Sequence, residues 1–271
     1  MPSWTFPTSL TLAAGALAIA AFAFTTPFTA GNAEAAPTDH GSAGSARAAR
    51  ATVETETRVI GYSVQGRPIK AVRYGPANAT SVGVFIGEIH GTERAGIPVV
   101  KQLRQLGPPA GSAMWIVKTV NPDGHAAHSR KNARGVDLNR NSPHLWKSTS
   151  RAPDYYPGRS AVSEPETRAY LDFLGAIDPD VVLIYHQAGN GVDTYQAKSP
   201  SLVKRLARRM RLAPKSFNCD GECTGTLTGW FNHRPSRKGA AITIELPAHT
   251  TAAQVRRWAR AARWSISAAG S

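Results

Sequence analysis

Two β-type runs, Thr57 to Val64 and Pro68 to Tyr74, flank Gln65-Gly66 and predict a hairpin near the start of the folded region. After it the apolar positions alternate between two kinds of spacing. Val82 to Ile86 predicts a strand, Ala95 to Leu106 a helix and Met114 to Val120 a further strand. Ser163 precedes Glu166 by three residues, the capping-box spacing, and predicts an amphipathic helix running through Leu174. Val181 to Tyr185 is apolar at every position, as expected of a strand buried on both faces. A helix from about Ser199, a buried strand over Ala240 to Leu246 and a basic amphipathic helix over Ala252 to Arg263 complete the pattern. Strands alternating with helices place the chain in the α/β class, and no internal repeat appears. Between Asn121 and Ser163 the periodicity is weak and Asn, Arg, Pro and Gly are abundant; long irregular segments of this kind usually carry function.

Ahead of the hairpin, Thr11 to Phe24 is an uncharged apolar run of 14 residues, followed by the small residues of Ala33-x-Ala35. The run is shorter than the roughly 20 residues a spanning helix needs, so residues 1–35 are expected to form a secretory signal peptide cleaved near Ala35 or Ala36. The first ten residues contain no Lys or Arg, so the usual basic n-region is missing. An uncleaved membrane anchor is the alternative, because extending the window to Ala30 reaches a marginal spanning length. Residues 36–52 read as a disordered spacer and 53–271 as the catalytic domain, which leads to the expectation of a secreted protein.

With 271 residues, 42% hydrophobic and 18% charged, the chain is long enough for one sizeable globular domain, which excludes fibrous and wholly disordered classes. Two cysteines are too few for a disulfide-built scaffold or a four-cysteine zinc site. Cys219 and Cys223, four apart in an exported protein, are expected to form a small loop-stiffening disulfide rather than remain free thiols. Lys and Arg number 32 against 18 Asp and Glu, a net charge of +14. The segments KRLARRMR (Lys204 to Arg211) and RRWARAAR (Arg256 to Arg263) put arginine on the outer faces of two helices. Aromatic residues do not interleave with these cations as a base-stacking platform would require. The expectation is a solvated basic face with weak attraction to anionic wall polymers, with no nucleic-acid partner and no stable membrane partner.

His90-Gly91-Thr92-Glu93 follows the Val82 to Ile86 strand, where an α/β sheet opens its carboxyl ends to ligands, and both side chains can reach one metal. H-x-x-E alone also fits a surface ion pair. His186 ends the strand Val181 to Tyr185 and offers a second imidazole at the same kind of position; two histidines and a glutamate suit an open zinc site. His125 and His128 form a competing H-x-x-H pair with no nearby Cys or third His. Asn121-Pro122-Asp123-Gly124, Arg130 and Gly135-Val136-Asp137-Leu138-Asn139-Arg140-Asn141 crowd the irregular segment. Glu245 ends the apolar strand AITIEL, where an ionised side chain is costly unless it faces a site holding a cation or polar partner; an edge glutamate facing water is the lesser alternative.

The series HGTE, NPDG, R-x-N-A-x-GVDLNRN, SEPET, a strand-terminal His and ITIEL resembles the zinc carboxypeptidase family, especially its bacterial murein peptide amidase branch, over about Val53 to Arg263. The resemblance implies a single α/β domain, with a mostly parallel, mixed twisted sheet flanked by helices. It implies one zinc per chain, bound by His90, Glu93 and His186, with Asp137 accepting the other ring N–H of His90. It further implies Glu245 as general base, Arg130 as the group stabilising the oxyanion, and Asn139 with Arg140 as the clamp on the substrate's free carboxylate. Many eukaryotic members carry a mobile tyrosine some twenty residues before the catalytic glutamate; Cys219 to Trp230 has none here. That segment should border the substrate side-chain pocket, and it offers Thr226, Leu227 and Thr228 instead of an obvious charge selector.

The expected function is therefore a secreted, monomeric zinc metallopeptidase cutting an amide bond next to a C-terminal residue with a free carboxylate. The substrate is either a cell-wall (murein) peptide or a general peptide. Two alternatives stand beside it. An N-acyl amino acid deacylase resembling succinylglutamate desuccinylase shares the H-x-x-E start, but NPDG and DLNRN argue against it. A non-catalytic basic cell-wall-binding protein with the same fold should lack at least one working residue, and none is missing.

Overall fold

The structure is a computed structural model and describes residues 55–270 apart from 151, 222, 236 and 237. The expected signal peptide and spacer lie outside the described residues. Strands β1 (Thr55–Tyr62) and β2 (Pro68–Tyr74) pair antiparallel as the expected hairpin, and Gly66 turns the chain at φ 76°. There follow β3 (Ser81–Ile86), α1 (Gly96–Leu106), β4 (Ser112–Val117), a short α2 (Pro122–Ala127) and α3 (Pro165–Ile177). Next come β5 (Val181–Gln187), β6 (Gly191–Asp193), α4 (Pro200–Met210) and β7 (Ala213–Lys215). The chain finishes with α5 (Leu227–Asn232), β8 (Ala240–Leu246) and α6 (Ala252–Ala269).

The strands form one mixed sheet in the order β1-β2-β4-β3-β5-β8-β6-β7. Its centre, β4, β3, β5 and β8, is parallel, while β2 and β6 join antiparallel on either side. Both faces are covered, which explains why the central strands are apolar throughout. Val84, Ile86, Val182 and Ile184 pack with Tyr170, Phe173 and Leu174 of α3. The intervening Phe85, Val181, Leu183 and Tyr185 pack on the other side with α1, α4 and α6. On β8, Ile242, Ile244 and Leu246 join this second cluster, so by strand alternation Thr243 and Glu245 face the α3 and α5 side.

Four local expectations need correction. β4 stops at Val117 rather than Val120, because the chain bends until the Val120 N–H donates to the Glu88 carbonyl (3.0 Å). α2 lies inside the stretch read as irregular; the Asn121 side chain accepts from the Gly124 N–H (2.9 Å), Pro122 opens the helix, and six residues are too few to show a period. The Ser163–Glu166 capping box does not form. The Ser163 hydroxyl donates to the Glu164 carboxylate (2.7 Å), while Glu166 accepts from the Val64 N–H of the hairpin (2.9 Å). A capping box is present instead at α6, between Thr251 and Gln254. Finally, α6 runs to Ala269, past Arg263, since Ile266 extends its buried stripe and sits where Gly83 leaves room for it.

Trp258 is buried between α6 and α4, with its indole N–H donating to the Met210 carbonyl (3.0 Å). Trp258→Ala should lower stability by about 3–5 kcal/mol, the usual cost of emptying a large aromatic site. Urea unfolding followed by tryptophan-independent circular dichroism measures it; a loss under ~1 kcal/mol would mean the two helices repack without it.

Candidate active site

Three adjacent strand ends build the site. His90 lies just beyond β3, in a turn where the Glu93 N–H donates to the His90 carbonyl (2.9 Å), so both side chains leave on the same side. Gly91 is required there, because a Cβ would lie 2.0 Å from the Gly124 carbonyl carbon. The HGTE turn therefore packs directly on the NPDG turn. His186 stands near the end of β5, and Glu245 is opposite it in the β5–β8 register.

Glu93 lies between the two imidazoles. His90 Nδ1 is 2.9 Å from Glu93 Oε1, and His186 Nδ1 is 2.9 Å from Glu93 Oε2. One ligand atom from each of the three buried residues lies within 4.8 Å of the others, the one such grouping of metal-ligand type among the described residues. Asp137, wholly buried, takes the far side of His90, with Oδ1 2.9 Å from Nε2. This contact leaves His90 Nδ1 toward Glu93, a buried nitrogen without a hydrogen-bond partner. A nitrogen so placed, a second imidazole and a carboxylate oxygen are the donor set of a catalytic zinc site, and Asp137 is the outer partner such a histidine has. The three residues fit zinc.

Arg130 closes the cluster, donating to Glu93 Oε1 (2.9 Å) and to Asp137 Oδ2 from Nε (3.2 Å) and Nη2 (2.9 Å). Burial works against ionising Glu93, but the charge of His90 and the hydrogen bond from His186 outweigh it and hold the carboxyl well below its usual range. The Asp137 carboxyl is likewise held low: burial opposes ionisation, while His90, Arg130 and Arg140 favour it. Burial pushes His90 toward the neutral form, and Asp137 and Glu93 overcome it and raise its pKa.

A cavity of about 230 Å³ opens in front of these groups and is lined by Arg130, Asn139, Arg140 and Glu245. Glu245 is half-buried and its Oε2 accepts from the Gly189 N–H (3.2 Å). Gly189 can approach so closely only without a side chain; a Cβ there would lie 2.6 Å from the Phe217 ring and 2.9 Å from Glu245 Cβ. Asn139 Oδ1 accepts from the Leu227 N–H at the start of α5 (3.1 Å), and its Nδ2 is 3.5 Å from His186 Nε2. Arg140 donates to the Asn139 carbonyl (2.8 Å) and to Cys219 Sγ (3.3 Å). Cys219 and Cys223 are disulfide-bonded and form part of the cavity wall. The residues given zinc-binding, catalytic and carboxylate-binding roles from the sequence thus all reach one cavity or the shell behind it.

Some expectations change here too. Thr226 and Thr228 line the cavity, but Leu227 is fully buried in the core. His125 does not join a metal cluster; its Nδ1 lies 2.8 Å from the buried Glu88 Oε2. Tyr155 and Asp193 are among the lining residues that escaped sequence reasoning. The Tyr155 ring lies under both arginines, 5.1 Å from Arg130 Cζ and 4.8 Å from Arg140 Cζ. Asp193 brings a carboxylate to the cavity wall, to which Thr226 and Thr228 contribute no charge. It ends β6 beside β8, and its Oδ1 accepts from the N–H groups of Tyr195 (2.8 Å) and Phe217 (3.0 Å). Burial, reinforced by the charge of Glu245, pushes its carboxyl up to about 6.

Comparison with known proteins points the same way. The zinc carboxypeptidase family profile matches residues 110–251. A murein peptide amidase A from Escherichia coli strain K12 is 30% identical over 152 residues, covering 52% of this chain and 62% of that protein. A murein peptide amidase A from Vibrio campbellii is 30% identical over 202 residues, covering 69% of this chain and 77% of the relative. The chain thus spans under two thirds of the Escherichia coli relative and over two thirds of the Vibrio one. Among solved structures, a murein-tripeptide amidase from Escherichia coli O157 superposes with a TM-score of 0.61 at 25% identity, over 81% of this chain and 95% of that one.

Asp137→Asn should weaken zinc binding about 10- to 100-fold, since the amide cannot hold His90 in one tautomer with the same basicity. Competition against a chelator measures the affinity, and an unchanged value would remove Asp137 from this role.

Proposed function

Because the chain belongs to the zinc carboxypeptidase family, we propose that it is an exported hydrolase that cuts the amide bond joining a C-terminal diamino acid to a cell-wall peptide. The observation that carries this reading is the charge layout of one cavity. Cations at Arg130 and Arg140, carboxylates at Glu245 and Asp193, and the His90–Glu93–His186 triad all open onto the same space.

Each group has a task that its chemistry suits. The Arg140 guanidinium fork, backed by Asn139 and stacked on Tyr155, binds the free carboxylate of the terminal residue. Asp193 receives the side-chain ammonium group of that residue. Zinc, when held by His90, Glu93 and His186, supplies a Lewis acid that polarises a carbonyl and makes water a better proton donor. Glu245 takes the proton from the attacking water and delivers it to the leaving amine nitrogen, so the C–N bond breaks with a neutral amine as product. Arg130 faces the oxygen that gains negative charge as the amide carbon becomes tetrahedral. The relatives named as murein peptide amidases favour a wall peptide, and the apolar run Thr11 to Phe24 with Ala33-x-Ala35 favours export.

Glu245→Gln should keep its zinc and lose about 100- to 10,000-fold in turnover, the range expected for removing a general base. Metal analysis beside a peptide assay tests it; turnover within threefold of the unaltered protein would take Glu245 out of the mechanism.

A substrate panel tests the specificity. γ-D-glutamyl-diaminopimelate peptides should be cleaved and chelator should stop the reaction; cleavage of ordinary peptides alone would point to a general carboxypeptidase. For the diaminopimelate substrate KM should fall as pH rises through about 6, because Asp193 is neutral below that value and attracts the ammonium group only above it. Asp193→Asn should raise this KM roughly tenfold or more and flatten its pH dependence, with little effect on a substrate bearing a neutral side chain. Equal losses on both substrates would exclude this recognition.

A further inference from the structure

The side chains of His186 and Glu245 leave the sheet toward α3 and α5, whereas α1, α4 and α6 cover the opposite face. These three helices together carry ten Lys and Arg and no Asp or Glu. On the cavity side, α3 alone carries Glu166 and Asp172 beside a single Arg168. The three helices thus hold ten of the 32 Lys and Arg with no carboxylate among them. Lys204, Arg205, Arg208 and Arg209 of α4 are exposed, as are Arg256 and Arg260 of α6, and Lys101 and Arg104 of α1 continue the face.

Part of this surface is arranged rather than merely basic. Arg205 and Arg209 both stack on the Trp264 ring of α6, with Cζ at 4.9 Å and 4.1 Å from its centre. With Arg208 they line a shallow depression of about 280 Å³ to which no other residue contributes. Among the described residues, no ion pair involves a cation of these helices. Guanidinium groups held close without a counter-charge repel one another, and an anion with several oxygens relieves that repulsion while matching the planar fork.

The same surface discriminates between anionic partners. Leu106 is the one exposed large apolar side chain on these three helices, so the face has almost nothing to insert into a bilayer. Trp258 is buried and the Trp264 ring is taken by two arginines, which leaves no free aromatic platform for bases. We infer that the α1–α4–α6 face docks the protein on a linear phosphodiester polymer without bases, a poly(glycerol phosphate) chain, with the catalytic cavity turned away from it.

Binding of the protein to deacylated poly(glycerol phosphate), followed by fluorescence anisotropy over a salt series, tests this. Binding should weaken steeply with salt and stay constant from pH 6 to 9, because guanidinium does not titrate there. The triple change Arg205→Glu, Arg208→Glu and Arg209→Glu should weaken it at least tenfold and flatten the log–log salt slope by about 2. Should that variant misfold, Arg208→Ala with Arg256→Ala and Arg260→Ala leaves the Trp264 stack intact and should still weaken binding severalfold. Hydrolysis of a small peptide should not change in either. An equal charge change outside these helices, Arg58→Glu with Lys147→Glu and Arg159→Glu, should weaken binding less than threefold. The inference fails if both sets of changes act alike, if single-stranded DNA of equal phosphate number binds more than tenfold tighter than the polymer, or if phosphatidylglycerol vesicles do.

Discussion

A carboxylate buried at the rim of a sheet has to be met by positive charge, and the site is organised around that requirement at Glu93. Its two oxygens face His90 and His186, and Arg130 adds a third contact. Asp137 repeats the arrangement one layer back, between His90 and Arg130. Each member is buried only because the others are, so removing one leaves a charge in low dielectric without a partner. The parallel order β3-β5-β8 makes the cluster possible, since three adjacent strands end at the same rim and deliver side chains separated by up to 155 residues of chain.

The long segment between β4 and α3 supplies the remaining polar groups almost without regular structure. Its backbone still needs hydrogen-bond partners, and asparagine side chains provide many of them. Asn132 accepts from the N–H groups of Arg134 and Val136 and donates to Glu164 and Glu166. Asn141 donates to the Pro157 and Ser160 carbonyls and to Ser163, and accepts from the Glu164 N–H. The abundance of asparagine there is thus the scaffold of the loop, and Arg130, Asp137, Asn139 and Arg140 are what it presents.

This division explains what could be read from the chain alone. The central strands and long helices announce themselves through burial on two faces or one stripe, and His90 with Glu93 through a contiguous turn. Glu245 stands out as a charge in an apolar strand. Asp193 gives no such signal, because β6 has three residues and too short a pattern to orient a side chain. Tyr155 is silent for a similar reason: it belongs to a short 3-10 turn and meets the arginines only through the fold of the loop. The Ser163–Glu166 spacing misleads because spacing cannot reveal that tertiary partners, Val64 and Asn132, claim Glu166 first.

Arg140, Asp193 and Glu245 come from a loop, an antiparallel strand and a parallel strand, so they stand on separate walls of the cavity. With the roles assigned to them, a terminal residue is gripped at three points around one carbon atom. Three such points not in line distinguish an object from its reflection: with its carboxylate at Arg140 and its scissile nitrogen at Glu245, the mirror-image residue turns its side chain away from Asp193. The enzyme would therefore be sensitive to the handedness of the residue it releases, as a direct result of where its strands end.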